Sequence, residues 1–185
     1  MNTNKDFLKH INNIYTTLNQ NESVISQLRE KNMNSVNKYG LPTHRKGNEE
    51  WKYSNLNRMT DLNYSENKNA ETNLKNINNI INMDDFEVIN IINGQLFENK
   101  INNKNIKIKN LSSSTLTKND TNKFNSTLNG ANEEIAQLNT ALCEDPILIE
   151  IDNKNSVSKL IVNIVNINIS NDYIINSPKL FIEIH

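Results

Sequence analysis

Three stretches near the end of the chain alternate with a period of two, and they constrain the fold more than any other feature. Ile147, Ile149 and Ile151 alternate with Leu148, Glu150 and Asp152. Val165, Ile167 and Ile169 alternate with Asn166, Asn168 and Ser170, after an opening at Leu160-Ile161-Val162. Leu180, Ile182 and Ile184 alternate with Phe181, Glu183 and His185. Successive side chains of a strand point to opposite faces, so each stretch predicts a strand with one isoleucine face. Short strands separated by polar corners suit the rungs of a solenoid or the strands of an antiparallel sandwich, and periodicity alone does not choose between them.

The front of the chain has a different rhythm. Phe7, Leu8, Ile11, Ile14, Tyr15 and Leu18 recur at steps of three and four, which predicts an amphipathic helix from about Asp6. Asn19 to Asn21 interrupt it, and Asn21 or Ser23 is placed to cap a second helix carrying Val24, Ile25, Leu28 and Met33 inward. Tyr39-Gly40-Leu41-Pro42 ends it, because a residue before proline is pushed out of helical angles. Between the helices and the late strands, Val88-Ile-Asn-Ile-Ile92, Asn93-Gly94 and Gln95-Leu-Phe97 predict a hairpin, since both turn positions accept left-handed angles. Ile106-Lys-Ile108 predicts a further strand. Ile77, Ile80, Ile81 and Met83 suggest a short helix, and 132–142 another with an acidic first turn. Asn63 to Asn73 and Leu111 to Asn129 read as polar connectors.

The only tryptophan, Trp51, lies inside a run of charges, Glu49-Glu50-Trp51-Lys52-Tyr53. Indole and phenol rings join large apolar areas to one polar handle, so such a cluster tends to anchor one element on another. The whole segment reads Gly40-Leu-Pro-Thr-His-Arg-Lys-Gly-Asn-Glu-Glu-Trp-Lys-Tyr-Ser-Asn-Leu56. It resembles the N-terminal signature of the SufD family, scaffold proteins of SufB/SufD type in iron–sulfur cluster assembly. Gly40, Leu41, Pro42, Thr43, Glu49, Glu50, Trp51, Lys52, Tyr53 and Leu56 match that signature. Ser54 stands for the usual threonine, and Lys46-Gly47 marks a small insertion. Leu28-Arg29, Ile92-Asn93-Gly94-Gln95-Leu96-Phe97, and Leu138-Asn-Thr-Ala-Leu142 followed by Asp145 and Ile147–Ile151 agree in the same order.

That resemblance runs over essentially the whole chain but only the front part of the family's length. It implies an α+β architecture, a helical N-terminal domain followed by the first rungs of a right-handed parallel β-helix. The expected divisions are 1–62, a helical region with the tryptophan docking segment; 63–130, a connector with hairpin and Ser/Asn-rich loop; and 131–185, the start of the β-helix. Because His185 closes the chain in mid-strand, a C-terminally truncated member is expected. The resemblance also implies partners. In the family a SufD pairs with a SufB-like paralogue through the β-helices, and each binds a SufC-like ATPase through its C-terminal region, so truncation is expected to impair binding. The cluster is assembled by the full complex, and the family's functionally implicated residues lie beyond the positions matched here.

Composition narrows the chemistry. The chain has 185 residues, 36% hydrophobic and 22% charged, with a net charge of −1 and a pI near 6.3, so no basic face for nucleic acid or anionic lipid is visible. No apolar run is long enough for a bilayer and no signal layout opens the chain, so a cytoplasmic protein without membrane attachment is expected. Asn, Ile and Lys are used heavily together, which fits A/T-rich coding better than a prion-like tract. Cys143 is the single cysteine. Alone it makes neither an internal disulfide nor a four-ligand metal site, and with Glu144-Asp145 beside it nothing lowers its pKa; a small buried residue at the edge of a strand is the expectation. His10 is expected on a polar helix face, and His44 in the basic stretch before Trp51. No GxxxxGK[ST] or GxGxxG occurs among the four glycines, so the chain is not itself the ATPase. Adjacent Glu49 and Glu50 point apart on a helix or strand, and with Lys46 and Lys52 they suit a salt-bridged docking element better than paired catalytic carboxylates.

No catalytic, cofactor-binding or metal-ligating residue is therefore assigned, and a non-catalytic, SufD-like scaffold subunit is the expected function. A β-solenoid or helical protein-interaction module without an iron–sulfur role is the alternative. A polysaccharide-active β-helix enzyme is disfavoured by the absence of clustered acidic residues and of a secretion signal.

Overall fold

The computed structural model describes residues 3–18, 24–42, 56–65, 87–97, 101–110, 117, 122, 134–152, 162–167 and 172–185. The helices are α1 (Thr3–Leu18), α2 (Val24–Tyr39), α3 (Asn57–Thr60) and α4 (Glu134–Ala141). The strands are β1 (Tyr64–Ser65), β2 (Glu87–Ile92), β3 (Gln95–Leu96), β4 (Ile106–Asn110), β5 (Ile147–Ile151), β6 (Val162–Ile167), β7 (Tyr173–Ile174) and β8 (Leu180–Ile184). The expected α+β class holds. The strands form three small sheets, and among the described residues they do not close into a solenoid.

The chain divides into two compact units. The first comprises 1–66, 116–143 and 172–177, and its core follows from the helical stripes read above. Phe7 and Ile11 of α1, Met33 and Val36 of α2, and Leu138, Ala141 and Leu142 at the end of α4 are buried together. Leu8, Ile14 and Tyr15 pack at the margin. Side chains three and four apart share one helix face, so the sequence period delivers these residues to one place. Polar bonds fix the helices further. Asn12 and Asn37 exchange amide bonds of 3.0 and 3.1 Å between α1 and α2. Ser35 Oγ donates to Gln137 Oε1 at 2.8 Å, tying α2 to α4. Gly40 stops α2 with φ +75, its N–H bonding the Val36 carbonyl at 2.8 Å. A Cβ there would meet nothing within 4 Å, so left-handed backbone, not space, demands the glycine.

The connector expected from Asn63 onward is not polar coil at its start. Tyr64-Ser65 forms β1 and pairs parallel with β7, Tyr64 opposite Tyr173 and Ser65 opposite Ile174. Two-residue strands are too short for alternation to announce them. The suggested helix around Ile77–Met83 lies outside the described residues, as do Asn21 and Ser23.

The second unit comprises 67–115, 144–171 and 178–185. The Asn-Gly hairpin forms as read: Asn93 (φ 49) and Gly94 (φ 85) make the turn, and Ile91 faces Leu96 while Ile92 faces Gln95. Two successive positive φ values match the right-handed twist of the flanking strands. A second turn launches β4, where Asn103 Oδ1 accepts the Asn105 N–H at 2.9 Å and the Asn103 carbonyl accepts the Ile106 N–H at 3.0 Å. Strand order is β3-β2-β6 in one sheet and β4-β5-β8 in the other. The β2–β6 and β5–β8 pairings are parallel, and β4–β5 is antiparallel. Ile89, Ile91, Ile106, Ile147 and Ile149 form the buried core, flanked by Leu96, Ile101, Ile108, Ile151 and Leu180. Thus the isoleucine face predicted for the strand at 147–151 is the inward one.

Candidate functional site

The two ends of the tryptophan segment are visible in the first unit. Leu41 is 5% exposed and joins the helical core, and Pro42 beside it is buried. Leu56 and Met59 pack against the same core, and α3 starts at once after Leu56, whose carbonyl accepts the Met59 and Thr60 N–H groups at 3.0 and 3.1 Å. The helical unit therefore holds the segment at both ends. His44, Lys46, Glu49, Glu50, Trp51, Lys52, Tyr53 and Ser54 lie outside the described residues.

Arg29 is a buried charge of the same unit. It occupies the apolar face of α2, four residues after Ile25 and four before Met33, and is 5% exposed. A guanidinium taken out of water must be hydrogen-bonded. Its Nε donates to the Cys143 carbonyl at 2.8 Å and one terminal nitrogen donates to the Leu18 carbonyl at 3.1 Å. Those two carbonyls lie at or just past the C-terminal ends of α4 and α1. The last carbonyls of a helix lack intrahelical donors and carry its negative dipole end, so a cation there is favoured twice over. Arg29 fastens two helix ends from a third helix. In the sequence Arg29 stands out only as part of the Leu28-Arg29 resemblance; the cue to its role is an arginine in helical register with Ile25, Met33 and Val36.

Two expectations need correction. Cys143 is buried, at 3% exposure, but it follows α4 instead of edging a strand, and its N–H bonds the Thr140 carbonyl at 3.4 Å. His10 is not on a solvated helix face. Its ring stacks on Tyr64 with centroids 5.7 Å apart, and its Nε2 is buried without a hydrogen-bond partner. The helical period had placed His10 beside polar neighbours, and β1, which covers it, was not foreseen. Phe7 meets the same Tyr64 edge-on at 5.9 Å, and the Tyr64 hydroxyl donates to the Met59 carbonyl at 2.7 Å. His185 is exposed, its Nε2 3.8 Å from Glu183 Oε2. Among the described residues no three His, Cys, Asp or Glu side chains gather as a metal site.

Burial raises the Tyr64 pKa above its ordinary value. An unfolded tyrosine ionises near 10, so above that pH the unfolded state loses its proton first. The associated stability is fully present below about pH 10 and is lost as pH rises through the folded value. Stability should fall on this alkaline limb, and Tyr64→Phe should flatten the fall while losing about 1 kcal/mol at neutral pH with the Met59 bond. Denaturation midpoints from pH 8 to 11 measure both; equal alkaline slopes in parent and variant would refute the assignment.

Residues 1–162 match the family described as SufBD protein N-terminal region. The chain belongs to the SufBD family. That SufBD match spans both anchors of the tryptophan segment, Arg29, the hairpin and β5, and it places the chain within the SUF-type iron–sulfur assembly family without separating SufD from SufB. No curated protein matches the chain. No helix among the described residues is long and apolar enough to cross a membrane.

Proposed function

We propose that the chain is a SufD-like, non-catalytic scaffold subunit of a cytoplasmic SUF complex, working with a SufB-like paralogue and a SufC-like ATPase. The observation that carries this reading is the segment Gly40–Leu56. The family match gives SufBD, and the order Gly-Leu-Pro-Thr, basic stretch, Glu-Glu-Trp-Lys-Tyr favours the SufD branch. In this reading the Leu41 and Leu56 anchors present Trp51 and Tyr53 as a docking element. The chain itself binds no cofactor; the iron–sulfur cluster is the cargo of the complex.

The same reading makes the strands of the second unit the opening of a right-handed parallel β-helix. Support comes from β8, which returns parallel beside β5 with Ile147, Ile149 and Ile151 opposite Leu180, Ile182 and Ile184. Like residues stacked in register on one face are what a solenoid step requires.

Co-expression of the tagged chain with SufB-, SufC- and SufD-type proteins tests the assignment. Retention of the SufB-type chain, weaker than by a full-length SufD-type control, is the expected result. Retention of a SufD-type chain instead would make this a SufB-like subunit, and retention of neither would favour an interaction module outside cluster assembly.

A further inference from the structure

Asn93-Gly94 joins an easily deamidated pair of residues to a turn that hides it. Asn followed by Gly is labile because no side chain shields the glycine nitrogen from the preceding carboxamide. Hairpin turns commonly stand in solvent, but Asn93 is 7% exposed and Gly94 is buried with it. Both carry positive φ, 49 and 85. The rungs beside the turn hold it further. Ile92 faces Gln95, Ile91 faces Leu96, and the Phe97 N–H bonds the Asn90 carbonyl at 2.9 Å. Leu96 in turn packs on the isoleucine core.

Deamidation needs a different backbone. The Gly94 nitrogen gives its proton to hydroxide and attacks Cγ of Asn93; the Cγ–Nδ2 bond breaks, and ammonia leaves with a proton taken from water. The five-membered imide closes only when that nitrogen lies on the same side of the Cα–C bond as Cβ. A residue with a Cβ and the φ of Asn93 takes a positive ψ, which turns the next nitrogen away from its own side chain. Water then opens the imide at one of its two C–N bonds. One opening gives an ordinary aspartate; the other leaves the main chain running through Cβ and Cγ of a β-linked aspartate. Nothing is oxidised or reduced, and water is consumed only in that opening.

We infer that Asn93 is a deamidation site gated by the hairpin. The closed turn withholds it, parting of β2 and β3 releases it, and the β-linked product keeps the two strands from pairing again in register. The ordinary aspartate is no obstacle, since Asp-Gly serves a two-residue turn as well as Asn-Gly does. The β-linked product adds one methylene to the main chain inside a turn built for two residues, so Ile91 and Leu96 no longer meet. An opening of the hairpin is thereby recorded as a permanent mark. This stands independently of any role in cluster assembly.

Peptide mass spectrometry of the full chain, aged at mildly alkaline pH both folded and in urea, tests the gate. Asn129-Gly130 is the other Asn-Gly pair in the sequence and calibrates the chemistry in urea, where the two pairs should convert at similar rates. In the folded chain Asn93 should convert at least about tenfold more slowly than in urea, the factor being set by local opening. A matching factor should appear as hydrogen-exchange protection of the Phe97 N–H, which bonds across the same hairpin. Equal conversion of Asn93 in folded and unfolded chains, or slow conversion without protection at Phe97, would overturn the inference.

The products test the second half. Chains with the β-linked residue at position 93 are separated from those with the ordinary aspartate by chromatography and returned from urea. Amide protection at Leu96 and Phe97 should be lost in the first and kept in the second, with α1 and α2 protected in both. A fully protected hairpin in the β-linked chain would sink the inference as well.

Discussion

Arg29→Ala lowers the stability of the helical unit by about 2–4 kcal/mol. The truncation removes the Arg29 bonds to the Leu18 and Cys143 carbonyls, and a hydrogen bond made by a charged group contributes about 1.5–3 kcal/mol. The aliphatic stem of a residue 5% exposed is lost as well. Arg29→Lys should recover part of the loss, because an ammonium keeps the charge at the two helix ends but lacks the planar fork that reaches both carbonyls. Urea denaturation followed by helical circular dichroism measures the series. A midpoint for Arg29→Ala within the error of the parent would show that the two bonds contribute nothing net.

Ile149→Ala should cost about 2–5 kcal/mol in the second unit, the range for emptying a packed aliphatic site. Ile149 is 1% exposed and central in its sheet, with Ile108 on one side and Ile182 on the other. Ile182→Ala on the next strand should cost less than about 1 kcal/mol, since half of that side chain is already in water. Amide exchange read over β4, β5 and β8 distinguishes the two, with protection collapsing for the first variant and holding for the second. Equal effects would mean that exposure does not rank these positions.

Much of the framework was legible because local pattern and tertiary environment agree. The period of Phe7, Ile11 and their neighbours specified the buried face of α1. Asn93-Gly94 specified a turn that needs two left-handed residues, and alternation over 147–151 specified the inward Ile147 and Ile149, whereas Ile182 and Ile184 of the last stretch are exposed. Partner choice was not legible, because a strand with one apolar face looks the same beside a parallel or an antiparallel neighbour; β5 in fact has one of each. Tyr64-Ser65 and Tyr173-Ile174 were missed since two residues have no period to detect. With β1 went the true surroundings of His10. Arg29 was overlooked in its structural role because a charged residue is read as solvated by default, even where the helical phase points it inward. Around the tryptophan segment, pattern marked Leu41-Pro42 as a helix stop and placed the docking cluster at Glu49–Tyr53; the packing of Leu41 and Leu56 into the helical core was not read from it.

The pairing of β2 with β6 has a consequence for biosynthesis. Glu87 meets Val162 and Ile92 meets Ile167, so on the ribosome β2 must wait for a partner made much later. At ~5–20 residues per second that interval is roughly 4–15 s. During it, a nascent hairpin rich in isoleucine has only β3 beside it, and long-range parallel pairing is intrinsically slow once both strands exist. Chaperone demand during translation should accordingly fall on the span between the hairpin and β6.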